Sequence, residues 1–336
     1  MKHIKFFALL GLVNLLLFGC KKDDQNDNVI SERYIHKYGY AVTKQDWEEK
    51  NYPGQVITDL SNGITLTTTY ENGVKHGPAT QTFPHSQTIE YYCLYNQGNC
   101  VKEIAYDAAG IPIREKVQLS PTRRSITTWF AQGSPMAVEE FVGEELLEGQ
   151  YYTTNNDLEC RVEKGIGQAV RRDRNGLLLV RELIEGGYAV KKETFYPNGA
   201  PESTAYCYRN SFHGERRTYS QNGEPLAIEE WVNGELHGKS TYFKNGNRYL
   251  EISYRYGQKY GIERHYIDAD IVSQEIMWEN DLRHGPTVYY IDGKAEYHWF
   301  YAGESMSKRK FDEMTDMDMM ISHVPYQEMD FSSPIR

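Results

Sequence analysis

From residue 206 to 293 the polar and apolar positions alternate in short runs, and the runs are punctuated at a fixed interval. Leu250, Ile252 and Tyr254 alternate with Glu251 and Ser253, the two-residue period of a half-buried strand. Asn245-Gly246 and Tyr256-Gly257 bound this run, as tight turns bound the strands of a hairpin. The unit repeats at His213-Gly214, His237-Gly238, Tyr260-Gly261 and His284-Gly285, 23 or 24 residues apart. A worn version reaches back to His76-Gly77 and forward to Met306-Ser307. No apolar stripe at helical spacing competes with this reading. The pattern predicts an all-β chain: an elongated, single-layer antiparallel β-meander of about ten stacked ~24-residue hairpin repeats, on the order of 100 Å long.

Two aromatic columns follow from the register. Tyr106, Trp129, Phe195, Tyr219, Tyr242 and Tyr289 precede the first turn of their units, and Tyr70, Tyr208, Trp231, Tyr254, Trp278 and Phe300 precede the second. A lone hairpin is marginal in water, so rings from neighbouring hairpins must cover one another. The columns are therefore read first as the core of the stack. Any rings left uncovered would form a partner surface, with Tyr208, Trp231, Tyr254, Trp278 and Phe300 as the candidates.

The ends depart from the repeat. Residues 1–19 read as a lipoprotein signal: Lys2 and Lys5 precede the apolar run Phe6–Phe18, which is short for a membrane span. Leu17-Phe18-Gly19-Cys20 resembles a bacterial lipobox, in which Cys20 would be acylated; Phe18 is unusual there. Residues 20–33 then form a polar tether, 34–62 an N-terminal capping region rich in Tyr and Trp, 63–307 the repeat array, and 308–336 a Met-rich acidic tail. The spacing from Glu148-Gly149 to Ile166-Gly167 is short by several residues, which marks a bend or a boundary between two subarrays.

Charge narrows the partners. The formal charge is −10, and −12 once Lys2 and Lys5 leave with the signal, which argues against nucleic acid and against anionic headgroups. Apart from Cys20, four cysteines remain, an even number that allows disulfides in an exported protein. Cys93 and Cys100 flank Tyr95-Asn96-Gln97-Gly98 and are the pair that could bridge across one hairpin.

The repeat histidines do not form a metal site. Equivalent positions in adjacent units lie two strands apart, ~10 Å, whereas ligands must converge to ~2 Å from one ion. Gly77, Gly214, Gly238 and Gly285 are read as turn glycines, padded or hydrogen-bonded by His76, His213, His237 and His284. The acid pairs Glu139-Glu140, Glu144-Glu145 and Glu229-Glu230 point to opposite faces of a strand and are read as solvated surface. No nucleophile elbow, phosphate loop or metal motif is present, so no catalytic residue, cofactor or enzyme activity is expected.

The runs Tyr70-Glu71-Asn72-Gly73-Val74-Lys75-His76-Gly77 and Trp231-Val232-Asn233-Gly234-Glu235-Leu236-His237-Gly238, with Tyr219–Gly223 and Tyr242–Gly246, resemble the MORN-repeat variant family. The resemblance is strong over 187–293, weaker over 63–186 and absent at both ends. It implies a hairpin-stack scaffold for protein or membrane contact and implies no enzyme. Bacterial members of this family are often lipoproteins, and the layout also looks like lipoproteins of chlamydia-type bacteria. The expected function is a non-catalytic, envelope-anchored interaction scaffold. It would be held in the membrane through acylated Cys20, in the outer membrane rather than the inner, and would bind an envelope protein. The alternative is an antitoxin-like regulatory inhibitor; a glycan-binding protein or an enzyme ranks below both.

Overall fold

The structure is a computed structural model that describes residues 29–268 and 270–322. Cys20, the signal and residues 20–28 of the tether lie outside the described residues, as does the end of the C-terminal tail; residues 29–33, read as tether, instead belong to the strand Val29–His36, which pairs with Gly54–Leu60.

The described strands, 27 in number, form one sheet. Gly54–Leu60 pairs with Thr65–Glu71, that strand with Val74–Thr82, and so on in chain order to Glu304–Met306, always antiparallel. This is an all-β meander built from sequential hairpins. The turns form where the sequence places residues that tolerate positive φ: Asn72, Asn233 and Asn245 at +52°, each followed by glycine.

One row of paired positions runs through the C-terminal half on a single face. Ala205, Glu229, Ser240, Ile252, Glu263, Ile276 and Thr287 all lie on it, and all are buried. The flanking row on the same face carries Trp231, Tyr254, Trp278 and Phe300. A single sheet can bury its central row this deeply because large rings on either side lean over it.

The short unit near residue 160 is a bend. Leu158–Glu163 and Ile166–Arg172 share only the pairs Val162↔Gly167 and Glu163↔Ile166. The pairing continues on both sides, and the sheet rolls over its own face. The N–H of Leu146 donates to the carbonyl of Gly187 at 2.9 Å, and that of Ala131 to Arg174 at 2.8 Å. Arg174 also reaches Asp107 at 2.9 Å. Ala137, Leu146, Tyr151, Val162, Ala169 and Ile184 close into the main apolar core inside the roll. Two of the acids read as solvated surface are in fact buried: Glu139 and Glu229 face inward while Glu140 and Glu230 face out. Tyr151 donates to Glu139 at 2.7 Å, and Arg171 pairs with the same carboxylate, so the buried charge is neutralised. Burial alone would lower the Arg171 pKa, but Glu139, Tyr151 and Glu182 outweigh it and hold the guanidinium charged.

Two helices interrupt the strands. Lys44–Lys50 is only 7 residues long, too short to show a stripe, and is set by its cap: the Thr43 hydroxyl accepts from the Asp46 N–H. Its Trp47 sits between Tyr34 and Tyr70 and closes the N-terminal end. Lys308–Ser322 is the second. Its Phe311 packs on Trp299 and His284 at ring distances of 5.1 and 5.6 Å, so the first part of the tail is a helical cap.

Candidate functional site

The second aromatic column is built by a pairing rule. Trp231 stands opposite Gly214, Tyr254 opposite Gly238, Trp278 opposite Gly261 and Phe300 opposite Gly285. Each ring faces a backbone with no side chain, which leaves room for it beside the ladder. These four rings lie in one row and are half-buried.

Tyr208 does not join them. The turn of its hairpin is Arg209-Asn210, at φ +47° and +67°, so Tyr208 pairs with Ser211 and corresponds to Val232 and Arg255 of later units. Cys207, opposite Phe212, takes the column position, and it is buried. The Tyr208 ring stays 57% exposed, outside the row. The positive-φ asparagine is the signal that would have found this: counting three residues back from Asn210 gives Cys207.

Cations lie against the column. Lys259 Nζ is 4.4 Å from the centre of the Trp278 ring, and Arg283 lies 5.9 Å from Trp278 and 5.1 Å from Phe300. Arg216 stands 6.0 Å from Trp231 and 5.3 Å from Phe212. Each cation reaches over a ring face, where the quadrupole attracts it. Beneath them, Arg216 binds Glu229 at 3.0 Å, and Lys259 and His265 each hold Glu263 at 2.7 Å. The Trp231 Nε1–H donates to Glu229 at 3.2 Å. Tyr254 and Tyr242 share a hydrogen bond, and burial pushes both phenols upward. The arrangement is a half-buried aromatic strip over the paired carboxylates Glu229 and Glu263, with the cations that pair with them laid against the rings. It offers flat rings and cations to a partner.

The repeat histidines His76, His213, His237 and His284 lie on the turn edge, in four of the units. Nδ1 of His76, His237 and His284 accepts the backbone N–H of Gln97, Tyr256 and Ala302, at 3.4, 3.3 and 3.5 Å. The next residue in each turn, Gly98, Gly257 or Gly303, donates to the carbonyl just before the histidine at 2.8 Å. Each turn is clasped by the unit before it. At His213 the glycine half of the clasp is present, Gly234 donating to Phe212 at 2.8 Å, with the Tyr208 ring 5.9 Å from the imidazole. Gly77, Gly214, Gly238 and Gly285 have φ between +93° and +106°, the conformation the break in each strand requires.

Cys93 and Cys100 form a disulfide with Cα atoms 6.1 Å apart. Cys160 and Cys207 are free thiols, and burial raises Cys160 to about 11. Among the described residues no helix is long and apolar enough to cross a membrane.

Residues 69–84, 230–248 and 277–295 match the MORN repeat family. Each segment begins one residue before the aromatic column and runs through the following turn to the clasping histidine, His76, His237 or His284. No curated protein matches the chain. With its hairpins laid out in one sheet, the chain carries the MORN repeat at three places along it.

Proposed function

We propose that this protein is a non-catalytic scaffold that binds another protein through the aromatic strip Trp231, Tyr254, Trp278 and Phe300, and that Cys20 anchors it to a bacterial envelope. The observation that carries the scaffold reading is the strip itself. Four rings sit in register on one face, half-buried, with Lys259, Arg216 and Arg283 laid over them. Tryptophan and arginine are the residues that most often dominate binding energy at interfaces. The MORN repeats support a scaffold in general terms. The anchor rests on the lipobox-like run Leu17-Phe18-Gly19-Cys20.

Two measurements test the two halves separately. The mature protein is used to capture partners from an envelope extract, beside a double variant, Trp231→Ala and Trp278→Ala, whose fold is checked by circular dichroism. A partner retained equally by the folded double variant removes the strip from the interface. For the anchor, cells are fed labelled palmitate. Label should enter the native protein and be lost in Cys20→Ala; equal labelling, or none in either, ends the lipoprotein reading.

A further inference from the structure

The last hairpin of the sheet is half finished. Lys294–Tyr301 pairs along its inner side with Leu282–Ile291, from Ile291↔Lys294 to Gly285↔Phe300, with no shift of register. On its outer side Glu304–Met306 covers only Trp299, Phe300 and Tyr301. Among the described residues no strand pairs with the outer side of residues 294–298, and all five of these residues are exposed.

The backbone groups left open follow from the turn. Asp292-Gly293 is a two-residue turn, so Ile291 and Lys294 exchange both bonds and the pattern alternates from there. Lys294, Glu296 and His298 bond inward, whereas the N–H and C=O of Ala295 and Tyr297 point out of the sheet.

The repeat indicates which strand fits. In each of three complete units the strand at this place reads Gly238-x-Ser240-x-Tyr242, Gly261-x-Glu263-x-His265 or Gly285-x-Thr287-x-Tyr289. The chain's own continuation aligns as Ser307-x-Arg309-x-Phe311 but is committed elsewhere. Ser307 caps the helix, accepting from the Lys310 N–H at its hydroxyl and from the Phe311 N–H at its carbonyl, and Phe311 is packed on Trp299. A second copy of the same edge, paired at 294–298, would bring Glu296 against Glu296, a like-charge pair that opposes self-pairing.

We infer that the edge at Ala295 and Tyr297 accepts an extended segment of a partner protein as an added strand. The segment carries an acid opposite His298 and, two residues on, a donor side chain opposite Glu296. His298 and Glu296 lie on the same face and are bonded to each other at 2.9 Å, so an acid and a donor across from them complete a four-membered hydrogen-bonding set. The inference concerns the end of the sheet and does not depend on the aromatic strip.

The probe is a fluorescent peptide with the sequence of residues 259–267, which places Glu263 opposite His298 and His265 opposite Glu296. Titrated onto the mature protein and followed by anisotropy, it should bind saturably. The same peptide N-methylated at Arg264, the residue opposite Tyr297, should bind at least about tenfold more weakly, since it loses a backbone donor and gains a clash. Tyr297→Pro, an edge substitution a sheet can carry, should weaken binding similarly. Hydrogen exchange on the unaltered protein makes the test independent of that variant: the amides of Ala295 and Tyr297 should exchange fast when free and slow when peptide is bound. Absence of saturable binding, or equal binding of the methylated peptide, would overturn the inference. So would protection of these two amides without peptide, either at high dilution, where the chain would be filling its own edge, or only as protein concentration rises, where a second copy would be.

Discussion

Nδ1 of His237 accepts the backbone N–H of Tyr256, 19 residues further along the chain, at 3.3 Å. One residue on, Gly257 donates to Leu236 at 2.8 Å. The two bonds fix the turn of one hairpin to the strand break of the hairpin before it. A meander needs such ties because its units contact only their neighbours. His237→Ala removes one of the two and leaves the glycine bond. The Tyr256 amide should then exchange roughly fivefold faster, the loss of about 1 kcal/mol of local protection. Exchange at Lys75 and Gln97, several units away, should not change. An unchanged Tyr256 amide would show that the imidazole only pads the turn.

The hairpins were legible because their turns are written in chemistry: Asn-Gly pairs and clasping histidines sit where the backbone needs positive φ. The aromatic columns were legible for a similar reason, since few residues can cover a sheet that has no second layer. The column failed at Tyr208, where Arg209-Asn210 replaces the usual Asn-Gly and shifts the count by one. Glu139 and Glu229 were misread because a strand pattern gives the face of a residue but not whether a cation waits across the ladder. Arg171 lies 32 residues from Glu139 and meets it only because the sheet rolls at the bend. The roll itself could be located by its missing residues. Its direction and tightness depend on contacts such as Leu146 to Gly187 that no local spacing announces.

Gly167 is the tightest point of that bend. Its φ is +148°, and a Cβ built there would lie 2.2 Å from the carbonyl oxygen of Arg161 and 2.9 Å from Cα of Val162. Both are backbone atoms and cannot step aside. Gly167→Ala should therefore cost about 3 kcal/mol, at the upper end of overpacking penalties. Gly98→Ala is the comparison: its φ of +84° is strained, but nothing lies within 4 Å of the added carbon. It should cost about 1 kcal/mol. Urea midpoints for the two variants decide the matter, and equal losses would mean that the bend relaxes at no greater cost than a turn.

Glu251 and Glu263 give the fold an acid dependence. Burial alone would raise both carboxyls. At Glu263 the hydrogen bonds of His265 and Lys259 outweigh it, and at Glu251 those of Lys239, Tyr266 and Arg248 do, so both carboxyls sit below their usual range. A folded-state pKa below the unfolded one means that the unfolded chain takes up the proton more readily. This contribution to stability is complete above the ordinary carboxylate range and is lost as pH falls through it. Urea midpoints of the native protein should drop between neutral and acid pH. Glu263→Gln should start lower at neutral pH and fall less steeply. Parallel pH curves for the two proteins would rule out a contribution from Glu263.

The Cys93–Cys100 bridge closes a loop with a sequence separation of 7. In the chain-entropy account so short a loop contributes about 2 kcal/mol, by restricting the unfolded chain. The bridge spans the turn that carries Gln97 and Gly98, the residues His76 and Lys75 clasp, so its loss should also loosen that clasp. The double variant Cys93→Ala, Cys100→Ala should unfold at lower temperature than the native protein. It should also exchange the Gln97 and Gly98 amides faster. A reducing agent should lower the native midpoint to about that of the variant and leave the variant unmoved. Cys160 and Cys207 are free thiols in both proteins and cancel in the comparison. A variant that still responds to reductant would reveal a second bridge between those two. A native protein that does not respond would mean that the bridge is absent in solution or contributes nothing to stability.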